Sequence, residues 1–432
     1  MTSPFLRHGE TMRVSKAGPL DCRTAVPGSK SLTNRYLLLA ALARGQSRLV
    51  HPLQSDDTVY MRAALAQVGV TVVCDETEWR VEGTPRWSAP AEALFVGNAG
   101  TVMRFFSPAL ALAPTAATIT GNERMLVRPI ADLVAGLRQL GARVGYQGRE
   151  GFPPLRIQGP MRAGTVDIRG DSSSQYLSGL LMVLPLLEGD SLIRLEGPLV
   201  SRTYVEMTLN CMSALGVVVQ TDADFRQFRI TGGQHYRAGE IVIEPDASTA
   251  SYWFALPLMV GGSVEVLHVP DRSDQGDFGL LDILARMGAR IERTGAGVRV
   301  GEAPLKGIDV DMNTMSDVAP TLAVIATRAG SPTTIRNIGN MRIKECDRID
   351  TLQTAFDQLG LKMESGPDWI KVHPGAPCRA ATLNPEEDHR MAMVYALLGL
   401  ASGGVRILEP QCVAKTYPAF FEEFGAVLRA RS

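Results

Sequence analysis

Apolar residues along this chain fall into two kinds of block. One kind alternates with polar positions at helical spacing and stops at a glycine. An apolar residue, a glycine, and another apolar residue three places on occur at Val68-Gly69, Leu140-Gly141, Leu215-Gly216, Met287-Gly288, Leu359-Gly360 and Phe424-Gly425, with glycine spacings of 72, 75, 72, 72 and 65. Each glycine predicts a helix C-cap, and the residues after most of them predict a strand.

The other kind of block is almost unbroken and follows a loop rich in capping residues. The loops are 29–31, 98–101, 171–174, 246–249, 315–317 and 386–388, and the apolar bodies are 37–43, 105–112, 176–184, 252–260, 320–326 and 391–401. A helix apolar on every side is buried on every side. Short β-rich runs lie between, at 118–120, 166–168, 192–195, 264–269 and 405–408. The chain therefore reads as six units, each with one buried and one amphipathic helix. Their period exceeds the roughly 20–50 residues of solenoid repeats. At 432 residues, two domains of three units each are expected, with the break near Ile243-Glu244-Pro245-Asp246.

Composition narrows the function. A formal net charge of −1 argues against a general nucleic-acid binder, so any anion recognition must be local. No apolar run reaches the roughly 20 residues of a membrane span, and Met1 to His8 lack a signal-peptide core, which predicts a cytoplasmic protein. The six cysteines, Cys22, Cys74, Cys211, Cys346, Cys378 and Cys412, are scattered, with no His at ligand spacing, and suggest neither a metal site nor a disulfide framework.

The polar residues gather before the apolar helices. In Val26-Pro27-Gly28-Ser29-Lys30-Ser31-Leu32-Thr33-Asn34-Arg35, Lys30 stands at the positive end of a helix, where an anion must share the site. Ser31 and Arg35 are four apart and can grip a carboxylate or phosphate from one face. Gly97-Asn98-Ala99-Gly100-Thr101 puts two glycines where backbone N–H groups can approach an oxyanion, and Arg124 and Arg128 lie one turn apart. Asp171-Ser172-Ser173-Ser174-Gln175 and Ser201-Arg202-Thr203-Tyr204 add neutral donors. Asp317 at a buried helix start reads as an N-cap. Lys344 and Arg348 would share a face if the stretch from Arg342 to Arg348 is helical, with Glu345 beside them. Asp388-His389-Arg390 opens another apolar helix, and Lys415 lies in Ala414-Lys415-Thr416-Tyr417-Pro418.

In this order and across nearly the whole length, P-G-S-K-S-x-T-N-R, G-N-A-G-T-x-M-R, R-M-x-x-R-P-I, S-S-Q, D-A-S-x-A-S-Y, R-x-K-E-x-D-R, D-H-R-M-A-M and A-K-T-Y-P make a chain that resembles the 5-enolpyruvylshikimate-3-phosphate synthases. The resemblance implies an α/β fold, a two-domain inside-out α/β barrel with three βαβαββ repeats per domain. Its domains would be residues 25–244 and residues 1–24 plus 245–432, hinged near 24–26 and 243–246 and closing on substrates. The reaction implied is transfer of the enolpyruvyl group of phosphoenolpyruvate to the 5-hydroxyl of shikimate 3-phosphate, with release of phosphate and no metal or cofactor.

By motif, Lys30, Ser31, Arg35, Ser173, Ser174, Gln175, Ser201, Tyr204, Asp317, Asn340 and Lys344 would bind shikimate 3-phosphate. Lys30, Asn98, Gly100, Thr101, Arg124, Gln175, Arg348, Arg390 and Lys415 would bind phosphoenolpyruvate. Catalytic roles fall to Lys30, Asp317, Glu345, His389 and Lys415. The family further implies a monomer, competition by glyphosate at the phosphoenolpyruvate site, and no nucleic-acid or membrane partner. Three departures stand out: Phe105 where many sensitive members carry proline, Glu387 where asparagine is usual, and Cys346, read as a small buried filler, in place of threonine. Two rival readings are the sister enzymes that act on UDP-N-acetylglucosamine and a non-catalytic anion-binding protein on the same fold. The former usually carry a cysteine in the loop that here runs from Gly121 to Pro129, which has none.

Overall fold

The computed structural model of the chain describes residues 3–84 and 86–429. Its twelve helices among these residues are α1 (Lys30–Leu42), α2 (Asp56–Gln67), α3 (Gly100–Leu110), α4 (Ala131–Gln139), α5 (Ser174–Val183), α6 (Arg202–Ala214), α7 (Ala247–Val260), α8 (Leu280–Met287), α9 (Ala319–Ala326), α10 (Arg348–Leu359), α11 (His389–Ser402) and α12 (Phe420–Arg429). The chain divides into two compact units. One is Gly28–Ile243; the other takes the described residues up to Pro27 and from Glu244 onward. Each unit has its own apolar core.

Every unit holds three four-stranded sheets of one pattern, a parallel pair followed by two antiparallel neighbours. The second repeat shows the order in full: Leu94–Phe95, α3, Ala116–Thr120, α4, Arg143–Tyr146, Leu155–Gln158. This is the βαβαββ order that the resemblance implied. In the first unit in sequence, Glu240–Val242 closes the sheet begun by Gly45–Val50. In the other, Leu20–Thr24 pairs with Gly262–Leu267, and the hairpin Phe5–His8 with Thr11–Val14 completes the sheet of Val405–Leu408.

The odd-numbered helices are the apolar ones. From Leu37 to Leu42 every residue of α1 is buried, as is all of α3 and every residue of α7 from Ala247 to Met259. Lining the inside with helices leaves the sheets a solvent face, and this is why strands such as Glu78–Gly83 alternate buried with exposed. Five of the six repeat glycines behave as expected: Gly69, Gly141, Gly216, Gly288 and Gly360 all take positive φ after a helix. The sixth does not. Gly425 lies inside α12, where a Cβ would come 2.6 Å from the Ser3 hydroxyl, so close packing and not a helix end explains it.

Candidate active site

Within Gly28–Ile243 the helix openings are stitched together by cations. Ser29 caps α1, its hydroxyl accepting from the Leu32 N–H at 3.4 Å. The anion required beside Lys30 is supplied by the protein itself: the Asp57 carboxylate, 2% exposed at the start of α2, lies 3.6 Å from the Lys30 ammonium. Arg35 does not point outward alongside Ser31. Its Nε donates to the Thr208 hydroxyl at 2.7 Å, and its two Nη atoms donate to the carbonyls of Ser31 and Tyr204 at 3.0 Å each. Burial lowers its pKa to about 10. The guanidinium also lies over the Phe105 ring, 5.1 Å from its centroid, so the residue that departs from the family pattern serves as a platform for Arg35.

Arg104 does for α3 and α5 what Arg35 does for α1 and α6. Its Nη1 donates to the Gln175 side-chain oxygen at 2.7 Å, which turns the Gln175 amide nitrogen to the Thr101 hydroxyl at 3.5 Å. Ser173 caps α5 by accepting from the Gln175 N–H at 3.3 Å. Ser174 is buried behind it, and Ser201 occupies the residue before α6 in a left-handed conformation. Arg128 donates from Nη1 to both oxygens of Asn98, at 3.2 and 3.1 Å. Its guanidinium so closely covers Gly100 that a Cβ there would lie 2.7–2.9 Å from it. Arg124 is half-buried at the turn before Met125–Val127.

The other unit builds a different cluster, around Arg348. Only 1% exposed, this guanidinium donates to Asp388 at 2.7 Å, to Asp317 at 3.1 Å and to Glu345 at 3.0 Å. Burial opposes its charge, and the three carboxylates more than offset that, so its pKa is raised. Arg390 reaches Asp317 at 2.8 Å, Lys344 reaches it at 3.3 Å, and Lys415 stands 3.5 Å from Glu345. Burial pulls the Lys344 ammonium below its ordinary value, partly countered by Asp317. Asp388 caps α11 by accepting from the Arg390 N–H at 2.9 Å, and buried His389 lies beside it with Nδ1 3.6 Å from the carboxylate.

Two local expectations need correcting. Lys344 and Arg348 are not on one helical face: a 3-10 turn, Gly339–Ile343, ends before Lys344, and α10 begins only at Arg348, capped by Asp347. They meet instead on the same oxygen of Asp317. That aspartate is not an N-cap, since it sits within the 3-10 segment Asn313–Val318 that leads into α9. Asn340 donates to Ser316 at 3.0 Å in the same corner. Cys346 is buried, its thiol pushed up by burial and by Asp388, as a filler would be.

Sequence reasoning placed Arg128 one turn from Arg124 without finding its partner Asn98, and missed Asp57 and Arg104 in one unit and Ser248 and Asp277 in the other. Asp57 follows a capping Ser55 and could have been read as the mate of Lys30. Asp277, one of three aspartates with Asp271 and Asp274 before an apolar run, gave no such signal.

The family model described as EPSP synthase (3-phosphoshikimate 1-carboxyvinyltransferase) matches residues 14–424. A 3-phosphoshikimate 1-carboxyvinyltransferase of Shewanella halifaxensis is 44% identical over 408 residues, 93% of this chain and 96% of that protein. One of Escherichia coli O1:K1 is 41% identical over 423 residues, 97% and 99% of the two chains. Among solved structures, an EPSP synthase from Acinetobacter baumannii superposes with a TM-score of 0.78 at 25% identity, covering 96% of this chain and 97% of that one.

Proposed function

The chain belongs to the EPSP synthase family, the 3-phosphoshikimate 1-carboxyvinyltransferases, and from that premise we propose which of its residues do the work. It is a transferase of the shikimate pathway. In the Gly28–Ile243 unit, Lys30, Ser31, Arg35, Ser173, Ser174, Gln175, Ser201 and Tyr204 serve shikimate 3-phosphate, while Asn98, Gly100, Thr101 and Arg124, again with Lys30 and Gln175, serve phosphoenolpyruvate. In the other unit, Asp317, Asn340 and Lys344 serve the first substrate, and Arg348, Arg390 and Lys415 the second.

The reaction needs a proton taken from a hydroxyl, one given to a methylene carbon, and one taken back from the resulting methyl group as phosphate leaves. A carboxylate next to an ammonium can take up a proton on one side and give one on the other, and Glu345 with Lys415 is such a pair. Asp317, held by two guanidinium groups and Lys344, is the second carboxylate for proton transfer, with Lys30 and His389 as further catalytic groups. Arginines around the departing phosphate supply electrostatic stabilisation. The observation that carries this reading is the convergence of Asp317, Glu345 and four cations from separate stretches of sequence on one cluster.

The proposal includes a monomeric, cytoplasmic enzyme on which glyphosate competes with phosphoenolpyruvate. Phosphate release from the purified protein tests it. Release is expected only when both substrates are present, with glyphosate raising the KM for phosphoenolpyruvate alone. Release with a UDP-amino sugar in place of shikimate 3-phosphate, or none with either acceptor, would overturn the assignment.

A further inference from the structure

Asp277 stands in a short segment, Gly276–Gly279, that the start of α7 holds firmly. Gln275, just before it, accepts from the Ala247 N–H at 3.1 Å and donates to the Pro245 carbonyl at 2.9 Å and to Glu244 at 3.0 Å. These bonds bring the Asp277 carboxylate against Ser248, whose hydroxyl donates to it. Because the Ser248 proton is committed to Asp277, its oxygen turns lone pairs toward Arg390, which donates to it from Nη2 at 3.2 Å. The same Nη2 donates to Asp317 Oδ2 at 2.8 Å. All four side chains belong to one unit, and Asp277, Ser248 and Arg390 are buried.

We propose that Asp277 and Ser248 are positioning residues of the transfer reaction, a relay that fixes the Arg390 guanidinium and through it the carboxylate of Asp317. Neither touches the reacting atoms; each acts through its neighbour. The relay rests on the roles proposed above for Arg390 and Asp317. A guanidinium nitrogen held by two acceptors at once has little freedom to rotate, and a substrate-binding arginine gains affinity from being fixed before the substrate arrives.

The charge state of Asp277 bears on the relay. Burial and the nearby Asp317 raise its pKa to about 6, against the pull of Arg390 and the Ser248 hydroxyl, with Asp246 at the α7 cap adding to the rise. Protonated Asp277 would itself become a donor to Ser248. The serine's own proton would then have to turn away from Asp277, toward the side where Arg390 donates, and Arg390 would lose its alignment.

The test compares Asp277→Asn, Ser248→Ala and the double variant with the unaltered enzyme. Each single change is expected to lower kcat/KM for phosphoenolpyruvate by about tenfold to a hundredfold. The double variant should fall no further than the worse single one, because both remove the same relay. The acid limb of kcat near pH 6 should disappear in Asp277→Asn, whereas a residue that only filled space would lower activity equally at every pH. Losses that multiply in the double variant, or single variants with unaltered kcat/KM and pH profile, would overturn the proposal. Should Asp277→Asn not fold, the profile of Ser248→Ala decides: a displaced acid limb supports the relay and an unmoved one refutes it. Asp317→Asn is measured in parallel. Full turnover there would strike at the reading of the site itself, while a large loss there with independent Ser248 and Asp277 effects would strike at the relay alone.

Discussion

The two units open their buried helices on opposite kinds of polar chemistry. In Gly28–Ile243 three guanidinium groups at the helix openings rest on neutral acceptors, Arg35 on two carbonyls and a hydroxyl, Arg104 on an amide and Arg128 on the two oxygens of Asn98, while the Lys30 ammonium there rests on the Asp57 carboxylate. In the other unit Arg348, Arg390 and Lys344 rest on carboxylates. A cation on a neutral acceptor keeps its field and remains available to an anionic ligand. One that is matched by carboxylates spends that field on holding them ionised and in place. The first arrangement suits binding of phosphorylated compounds, and the second suits moving protons.

This contrast can be broken by mutation. The largest effect is expected where charge meets charge. Asp388→Ala removes a fully buried partner of Arg348 together with the cap of α11, and should cost about 3–5 kcal/mol of stability, read from urea midpoints. A loss under about 1 kcal/mol would mean that Arg348 does not depend on its carboxylates. Arg104→Met in the other unit breaks the charge-assisted bond to Gln175 and the contact with the Tyr176 ring, and a smaller cost of about 1–3 kcal/mol is expected, with a raised KM. If Arg104→Met proved the more damaging, the contrast between the units would be false.

A further effect is one of pH. The Asp277 carboxyl titrates near 3.8 when unfolded and at about 6 in the fold, so the folded state holds its proton longer. That stability is fully present below pH 4 and lost as pH rises through 6. Asp277→Asn should therefore become more stable relative to the unaltered protein between pH 4 and pH 7. A difference that stays constant over that range would place the carboxyl at an ordinary pKa.

What the sequence made legible follows from how each feature is encoded. The buried helices announced themselves because seven to eleven residues of nearly unbroken apolar sequence behind a capping loop admit few other readings, and the helix at Lys30 is a clear instance. The sixth repeat glycine misled because its pattern matched by chance in a helix interior, and its spacing of 65 was the warning. The condition that Arg342 to Arg348 be helical was not met, and charge spacing carries no information about where a turn ends. Pairs distant in the chain were beyond reach: Arg348 and Asp388 are 40 residues apart, and Arg104 and Gln175 are 71 apart. Residues could be nominated one by one, but which cation sits on which acceptor is a property of the folded packing.

Glu345 tests the central division of labour most directly. Its two carboxylate oxygens face Arg348 and Lys415, and Gln keeps its shape while removing its charge and its capacity as a base. Turnover of Glu345→Gln, measured beside the affinity of the same protein for both substrates, is expected to fall by about a hundredfold or more with binding nearly intact. Undiminished turnover, or a loss that lies wholly in substrate affinity, would contradict the account.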